Sequence, residues 1–246
     1  MRTLTDLSPA DPRRGLAVDE VLLESARYSG RGAIRFWVND RSVIVGRSQT
    51  VEDEVDLAYA EAVEIPVLRR ISGGGTVYHY PGNLNLSVIL PTGSPVASVS
   101  GTFRFFGEAI ATALAPWCKV DVEENLLLLG GLKVGGAAQA RRGASLLYHT
   151  TLLFEPDEVP MERLLLAFRP GYAPRRVASH PRSTTTLLAV GRGAISPPRI
   201  IGAIGRSIGR RLGAPLREGS LEEEEQRRAL ELSAAKYGDN AWNRLH

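Results

Sequence analysis

A single cysteine in 246 residues excludes an intrachain disulfide and suits a reducing cytoplasm. No apolar run is long enough to span a bilayer. The first fifteen residues carry no apolar stretch of the kind a secretory signal needs. The expectation is a cytoplasmic protein without membrane contact. Charge of one sign is scarce too: Lys and Arg number 30 against 27 Asp and Glu, a formal net charge of +3. That small excess can help draw in an acidic protein, but no dense Lys/Arg tract interleaved with aromatics argues for nucleic acid. Neither an internal repeat nor a linker breaks the chain, and its length suits one domain with a substantial core. Residues 1–246 are therefore read as one unit.

The most informative stretch that is present runs RRISGGGTVYHYPGN over residues 69–83. Arg69, Arg70 and Ser72 precede Gly73, Gly74 and Gly75, and a β-prone run follows, Thr76 to His79. Glycine has no Cβ, so successive N–H groups can converge and ligand atoms can approach the main chain. Such a concavity suits a phosphate or carboxylate, with the arginines adding charge-assisted donors. A tight hairpin turn with two solvated arginines fits the same residues. A second segment, KVGGAAQ, spans residues 133–139 and leads through Arg141 and Arg142 to Tyr148, His149, Thr150 and Thr151. Small residues Gly136 and Ala138 leave space beside the Lys133 ammonium, a compact charge able to oppose developing negative charge. A strand whose lysine reaches water, with glycines at a bulge, accounts for it equally.

Periodicity organises the rest. Residues 15–29 have apolar positions at helical spacing. Residues 33–37 and 42–45 read as short strands joined by a turn at Asn39 and Asp40. A helix is expected over 53–62, a strand over 66–68, and a strand over 85–90 stopped by Pro91. Residues 101–115 return to helical spacing, ended by Pro116. Four β-prone stretches follow near 118–122, 126–129, 132–140 and 144–154. Residues 157–168 read as a helix with Pro160 in its first turn, and 170–186 as an extended surface loop able to order on ligand binding. Helices over 197–212 and 221–237 close the chain. Strands grouped in the first two thirds, with flanking helices, argue for an α+β fold with a mostly antiparallel sheet. His180 and His246 carry no signal.

Together the two glycine-bearing segments resemble the lipoate–protein ligase family, within the wider biotin/lipoate ligase and acyltransferase group. Members carry RRxSGGGxVxHxxGN, then K-[IV]-x-G-x-A-Q, then a histidine just before a small residue and T-[IL]-L. These patterns fall on residues 69–83, 133–139 and 149–153. Val45-Gly46-Arg47-Ser48-Gln49 is similar to the family's early strand-turn, and Lys236-Tyr237 with Trp242-Asn243 to the segment that closes its catalytic domain. The resemblance implies a biotin/lipoate ligase-like catalytic domain and a two-step reaction. Lipoate and ATP give lipoyl-AMP and pyrophosphate, and a carrier lysine then takes the acyl group. Lys133 would be the catalytic cation on the acyl carbonyl and α-phosphate. Gly73, Gly74 and Gly75, with Ser72, would line the channel, and Arg70 would sit near the carboxylate end. His79 and Asn83 would organise the adenylate, and Gly136, Ala138 and His149 the acyl site. Magnesium would accompany ATP, although no carboxylate cluster is present to hold it as a protein metal site. The partner would be a lipoyl domain or H protein-like carrier.

Three departures stand out against that pattern. Asn125 is followed by Leu126 where the family has Asp, Thr150 replaces the usual glycine, and the chain stops at His246. The last implies no C-terminal accessory domain and a separate small accessory subunit. Cys118 supports a rival, an ATP-independent octanoyl or lipoyl transferase that forms an acyl-thioester. Alternation over Cys118, Val120 and Val122 makes it equally a core thiol. Those transferases typically carry RRPTGG followed by arginine, whereas Ile71, Ser72 and a third glycine stand here. A non-catalytic lipoyl-adenylate-binding protein is the third reading.

Overall fold

Strand pairing in the computed structural model, which describes residues 1–91, 96, 98–143, 145–191 and 195–245, produces two sheets with a cavity between them. In chain order the elements are β1 (Arg2–Ala10), α1 (Pro12–Ser29), β2 (Ala33–Asn39), β3 (Ser42–Val45), α2 (Val51–Glu54), α3 (Leu57–Ala62), β4 (Val67–Arg69), β5 (Val77–His79), β6 (Asn83–Leu90) and α4 (Val99–Leu114). They continue with β7 (Asp121–Glu123), β8 (Leu126–Leu129), β9 (Leu132–Arg142), β10 (Ser145–Leu153), α5 (Met161–Leu164), α6 (Leu187–Val190), α7 (Pro197–Leu212), β11 (Arg217–Glu218), α8 (Glu223–Leu232) and α9 (Asn240–Asn243). The large sheet has the order β11-β1-β2-β6-β10-β9-β8-β7, and the small one β4-β3-β5. Pairing from β2 through to β7 is antiparallel, while β1 runs parallel to both β2 and β11. The fold is α+β with a mostly antiparallel sheet.

Central strand β6 is buried along its whole length, yet its faces differ. Because strand side chains alternate, Leu84, Leu86, Val88 and Leu90 share one face and join α4 and α7 in the main core. The opposite face carries Asn83, Asn85 and Ser87 beneath α1 and the small sheet. A buried polar strand face is costly unless something hydrogen-bonds it, and this one forms the cavity floor. A second core links α1 to α8 and to Ile44, Leu68 and Ile71 of the small-sheet region.

Several expectations change. β1 lies in a stretch read only for its lack of a signal, and its role is to pair along β2. β2 and β3 are not a hairpin but belong to different sheets, so the turn at Asn39 and Asp40 carries the chain from floor to roof. The 53–62 helix is two short ones, broken at Val55, which bridges to Leu165. Only Met161–Leu164 and a 3-10 turn at Leu166–Phe168 form within 157–168. Cys118 follows α4 outside any strand, its N–H bonded to the Leu114 carbonyl. Ala144, where the strand over 144–154 was expected to start, and His246 lie outside the described residues.

The closing segment is fixed by charge. Glu20 on α1 is 3% exposed. It accepts from Lys236 Nζ at 2.8 Å, Tyr237 Oη at 2.7 Å and Arg142 at 2.7 Å. Burial opposes its ionisation, but these partners hold the carboxyl below its usual range. Removing one member of a buried ion cluster strands the others. Glu20→Gln is expected to cost about 2–3 kcal/mol of stability, read as a lower urea midpoint at unchanged slope; an unchanged midpoint refutes the assignment.

Candidate active site

The cavity between the sheets has a volume of about 260 Å³. Its floor follows a cross-strand row set by register: Trp37 opposite Asn85, Asn85 opposite Thr151, and Thr151 opposite Gly136. The neighbouring row brings His149 opposite Ala138. Ile44, Val77 and His79 of the small sheet form the roof, and Lys133 with Glu123 and Glu124 stands among its walls.

Lys133 and Gly136 meet as their spacing implied. A side chain at Gly136 would put its Cβ 3.2 Å from the Lys133 Nζ, so glycine there leaves the ammonium its place. Among the described residues the ammonium has no hydrogen-bond or ion-pair partner. Burial, reinforced by the nearby Arg70 charge, lowers its pKa below the ordinary lysine range. A desolvated, unpaired cation on an open wall is a site for an anion.

The glycine loop is held rather than free. Arg70 is 5% exposed. Its guanidinium donates to the carbonyls of Gly73 at 2.6 Å, Gly75 at 2.8 Å and Ile44 at 3.1 Å, and to Ser72 Oγ at 2.9 Å. It lines the cavity, but four of its five N–H groups are bonded to Ser72, Gly73, Gly75 and Ile44, and burial pushes its pKa down to about 10. Arg69, wholly buried, donates to the carbonyls of Gly46, Arg47 and Gln49. Its backbone N–H and carbonyl are held by Asn243 and Trp242 of α9. Close approach also explains Gly46, where a Cβ would lie 2.0 Å from the Gly74 carbonyl oxygen.

Ser72 ends a buried chain that the sequence reading missed. Its hydroxyl lies 2.6 Å from His149 Nε2, and His149 Nδ1 lies 3.3 Å from Asp19 Oδ2. Asp19 also pairs with Arg35 at 2.8 Å and accepts from Ser87 at 2.8 Å. Burial disfavours its charge, but His149, Arg35 and Ser87 outweigh that and hold its pKa low. With the carboxylate ionised, it can accept a hydrogen bond from Nδ1–H, which leaves Nε2 to accept from the Ser72 hydroxyl. The array has the form of a serine–histidine–aspartate triad, yet Ser72 is 1% exposed and Arg70 donates to its oxygen. Ser72 is an anchor, not a nucleophile.

Of the remaining expected residues, His79 lines the cavity with Nδ1 3.1 Å from Asn39 Nδ2. Burial, with His149 and Arg70 nearby, drives its pKa to about 3, so it is neutral. Gly75, Gly136, Ala138 and His149 reach the cavity wall, whereas buried Ser72 and Asn83 and exposed Gly73 and Gly74 are not part of its lining. Asn83 donates to Asn85 Oδ1 at 3.2 Å. Trp37, Asn85 and Thr151 were not singled out, although strand alternation projects them onto one face with His149. Asp19 was legible as an acidic residue inside an apolar helical stripe. The 170–186 segment crosses the site: Ser179 Oγ accepts from Thr76 N–H at 2.8 Å and donates to Glu54, while Ser183 and Thr185 pair with the Lys133 backbone. Leu126 lines the wall opposite Gly136. Cys118 lies outside this cavity, in a shallow depression with Trp117 and Lys119, and burial raises its thiol pKa.

Ser72→Ala removes both the donor to His149 and the acceptor for Arg70. Stability should fall by about 1–2 kcal/mol, with a larger loss of carboxylate-ligand affinity than Cys118→Ser causes. Titration calorimetry with thermal unfolding checks this, and unchanged affinity overturns the anchoring role.

A model of the lipoyl protein ligase A/B catalytic domain matches residues 11–208. The chain is 31% identical to the lipoate-protein ligase A subunit 1 of Thermoplasma acidophilum, over 96% of this chain and 93% of that one. A T. acidophilum protein solved with bound lipoic acid superposes with a TM-score of 0.83 at 28% identity, covering 100% and 99% of the two chains. A structure from a bi-partite T. acidophilum lipoate protein ligase and its E2 lipoyl domain gives 0.84 at 28% identity over 99% and 95%. A lipoate-protein ligase A bound with ATP gives 0.82 at 30% identity over 99% and 98%. With this cavity, this glycine loop and this lysine, the chain belongs to the lipoyl protein ligase A/B catalytic-domain family.

Proposed function

We propose that this chain is the catalytic domain of an ATP-dependent lipoate–protein ligase, which activates lipoate as lipoyl-AMP and passes the acyl group to a carrier lysine. The observation that carries the reading is the unpaired Lys133 ammonium above Gly136, beside an otherwise largely apolar cavity. A lipoate carboxylate oxygen attacks the α-phosphorus of ATP, and the bond to pyrophosphate breaks. A carrier amine then attacks the acyl carbon, the bond to AMP breaks, and the amine sheds a proton. Neither step needs a protein nucleophile; both gather negative charge that a placed cation stabilises. Lys133 supplies that cation, and the Arg70-braced loop supplies rigidity. His79, neutral, orients ligand without adding charge.

Relatives support the components. A similar ligase is solved with ATP and a similar protein with lipoic acid. The names "subunit 1" and "bi-partite", and the E2 lipoyl domain in one of these systems, support a lipoyl carrier and a separate accessory subunit. For this chain we infer one catalytic domain, a lipoyl domain or H protein-like carrier, and an accessory polypeptide. Among the described residues no helix is long and apolar enough to cross a membrane; with its lone cysteine, the proposed workplace is the cytoplasm. No group of three or more metal-ligating side chains occurs among the described residues. A magnesium ion arriving with ATP would take most ligands from phosphate and water, with Glu123 and Glu124 the carboxylates on the cavity wall. Cys118 stands outside the cavity with a raised pKa, which disfavours an acyl-thioester.

Purified protein, ATP, magnesium, lipoate and an apo-carrier, with and without a candidate accessory subunit, provide the test by intact mass. Lys133→Ala should abolish carrier modification and Cys118→Ser should leave it largely intact. Modification without ATP, or its loss in a folded Cys118→Ser protein, moves the assignment to the transferase. Adenylate binding without transfer moves it to a binding protein.

The lowered Lys133 pKa has a sign that can be checked. In the free protein the ammonium loses its charge as pH rises through a value below the ordinary 10.5. Bound carboxylate or phosphate favours the charged form and raises that value. In pyrophosphate exchange, which needs no carrier amine, the alkaline limb of kcat/KM should fall below 10.5, and that of kcat at higher pH than it. A kcat/KM limb at or above the ordinary lysine value contradicts the site.

A further inference from the structure

Glu54 closes α2 at 0% exposure and has no ion-pair partner among the described residues. A buried carboxylate is costly unless hydrogen bonds replace its water. Both that do so come from the 170–186 segment: Oε1 accepts from Tyr172 Oη, and Oε2 from Ser179 Oγ. Two further contacts fasten the same stretch to the same turn. The Arg175 backbone N–H donates to Asp53 at 2.9 Å, and Gln49 Nε2 donates to the Val177 carbonyl at 3.2 Å.

Each hydrogen bond in this knot has one possible direction. Gln49 Oε1 accepts from the Gly46 N–H at 2.8 Å and from Thr76 Oγ1 at 2.9 Å, so Nε2 is the end that faces Ser179, at 3.0 Å. Ser179 Oγ accepts there, and also from the Thr76 N–H at 2.8 Å. A hydroxyl has two lone pairs and one hydrogen; with both lone pairs taken, the hydrogen goes to Glu54. Tyr172 Oη accepts from the Ser179 N–H at 2.8 Å and sends its own hydrogen to the other carboxylate oxygen. The approach is close enough to need glycine: a Cβ at Gly75 would lie 2.9 Å from Ser179 Oγ and 3.1 Å from its Cα. Beyond Ser179, the exposed residues His180, Pro181 and Arg182 line the cavity and form its rim. Glu54 is outside the lining, yet a single hydroxyl connects it to both the rim and the exit of the glycine loop.

We infer that Glu54 is a positioning residue: its two oxygens, taken by Tyr172 and Ser179, set the 172–182 rim against the glycine loop, and retention of the acyl-adenylate depends on that setting. The inference rests on the ligase reading for the occupant and adds a residue that acts without touching it. An amide at position 54 cannot reproduce the arrangement. Ser179 has no lone pair left to accept from it, so the amide oxygen must face Ser179 and the amide nitrogen Tyr172, whose hydrogen then loses its acceptor.

The test loads purified protein with radiolabelled lipoyl-AMP, without ATP or carrier, and follows its release during a chase with unlabelled lipoyl-AMP, together with the number of ligands bound per chain. Glu54→Gln should release it about tenfold faster and Tyr172→Phe about threefold faster, each at the wild-type stoichiometry. The double variant should fall short of the product of the two effects, because both changes remove one shared contact. Tyr172 is half-buried, so its variant decides even if Glu54→Gln fails to fold. Wild-type release from folded Glu54→Gln or from Tyr172→Phe, or a double variant that reaches the full product, overturns the inference and leaves the ligase reading intact. So does a variant that binds fewer ligands per chain yet releases them at the wild-type rate, which is the signature of partial unfolding. A wild-type protein that binds no lipoyl-AMP overturns both.

Discussion

Three glycines in a row have no side chains with which to hold a shape, so their conformation must be imposed from outside. Glycine also loses more conformational freedom on ordering than any other residue, and its neighbours must supply the compensation. Here Arg70 donates to the carbonyls of Gly73 and Gly75, and Ser72 is tied through His149 to Asp19 on α1. Ser179 accepts the Thr76 N–H where the loop leaves. Arg69, just before it, is clasped by three carbonyls and by α9. Most side chains that look, in sequence, like ligand-binding groups are therefore committed to scaffolding. What the loop offers a ligand is backbone at close range.

That commitment sharpens the electrostatics. Arg70 is largely engaged in bracing its loop, whereas Lys133 has no hydrogen-bond or ion-pair partner among the described residues. Neutral His79 adds no further repulsion, and ionised Asp19 is neutralised locally by Arg35 before its field reaches the cavity. On the cavity lining Arg182 is paired with Glu123, while Lys133 has no ion-pair partner among the described residues. In the proposed ligase reaction, an acyl carboxylate, an α-phosphate and the mixed anhydride between them would each bring negative charge to Lys133.

Local signals with one dominant cause were legible. The amphipathic stretches became α1, α4 and α7, Lys133 and Gly136 met as their spacing implied, and His149 fell on the same floor as Ala138. Pairing over distance was not legible. Nothing local in residues 2–10 announces a strand, because β1 takes its definition from β2 and β11. The turn at Asn39 and Asp40 looks the same whether the next strand pairs back or crosses to another sheet. Residues 157–168 have helical spacing, yet Val55 pairs with Leu165 and claims their backbone. Roles were harder than positions. Motif reading gave Asn83 and Arg70 ligand-binding roles, whereas Asn83 is outside the cavity lining and bonded to Asn85, and Arg70 is bonded to its own loop. Asp19 and Asn85 were visible all along as polar residues in buried stripes, a pattern that deserves the same suspicion as a glycine run.

The 170–186 segment shows how such a site can be both rigid and enterable. Its composition reads as surface loop, and no regular element forms there except the bridge at Thr184. It is nevertheless attached at both sides of the cavity, through Ser179 to Glu54 and Thr76 and through Ser183 and Thr185 to the backbone of Lys133. A few polar contacts on an otherwise irregular segment open at lower free energy than a packed sheet does. The floor, by contrast, is central strand buried on both faces. The segment's last hydrogen bonds end on the backbone of Lys133, so the position of this segment and that of the Lys133 strand are linked.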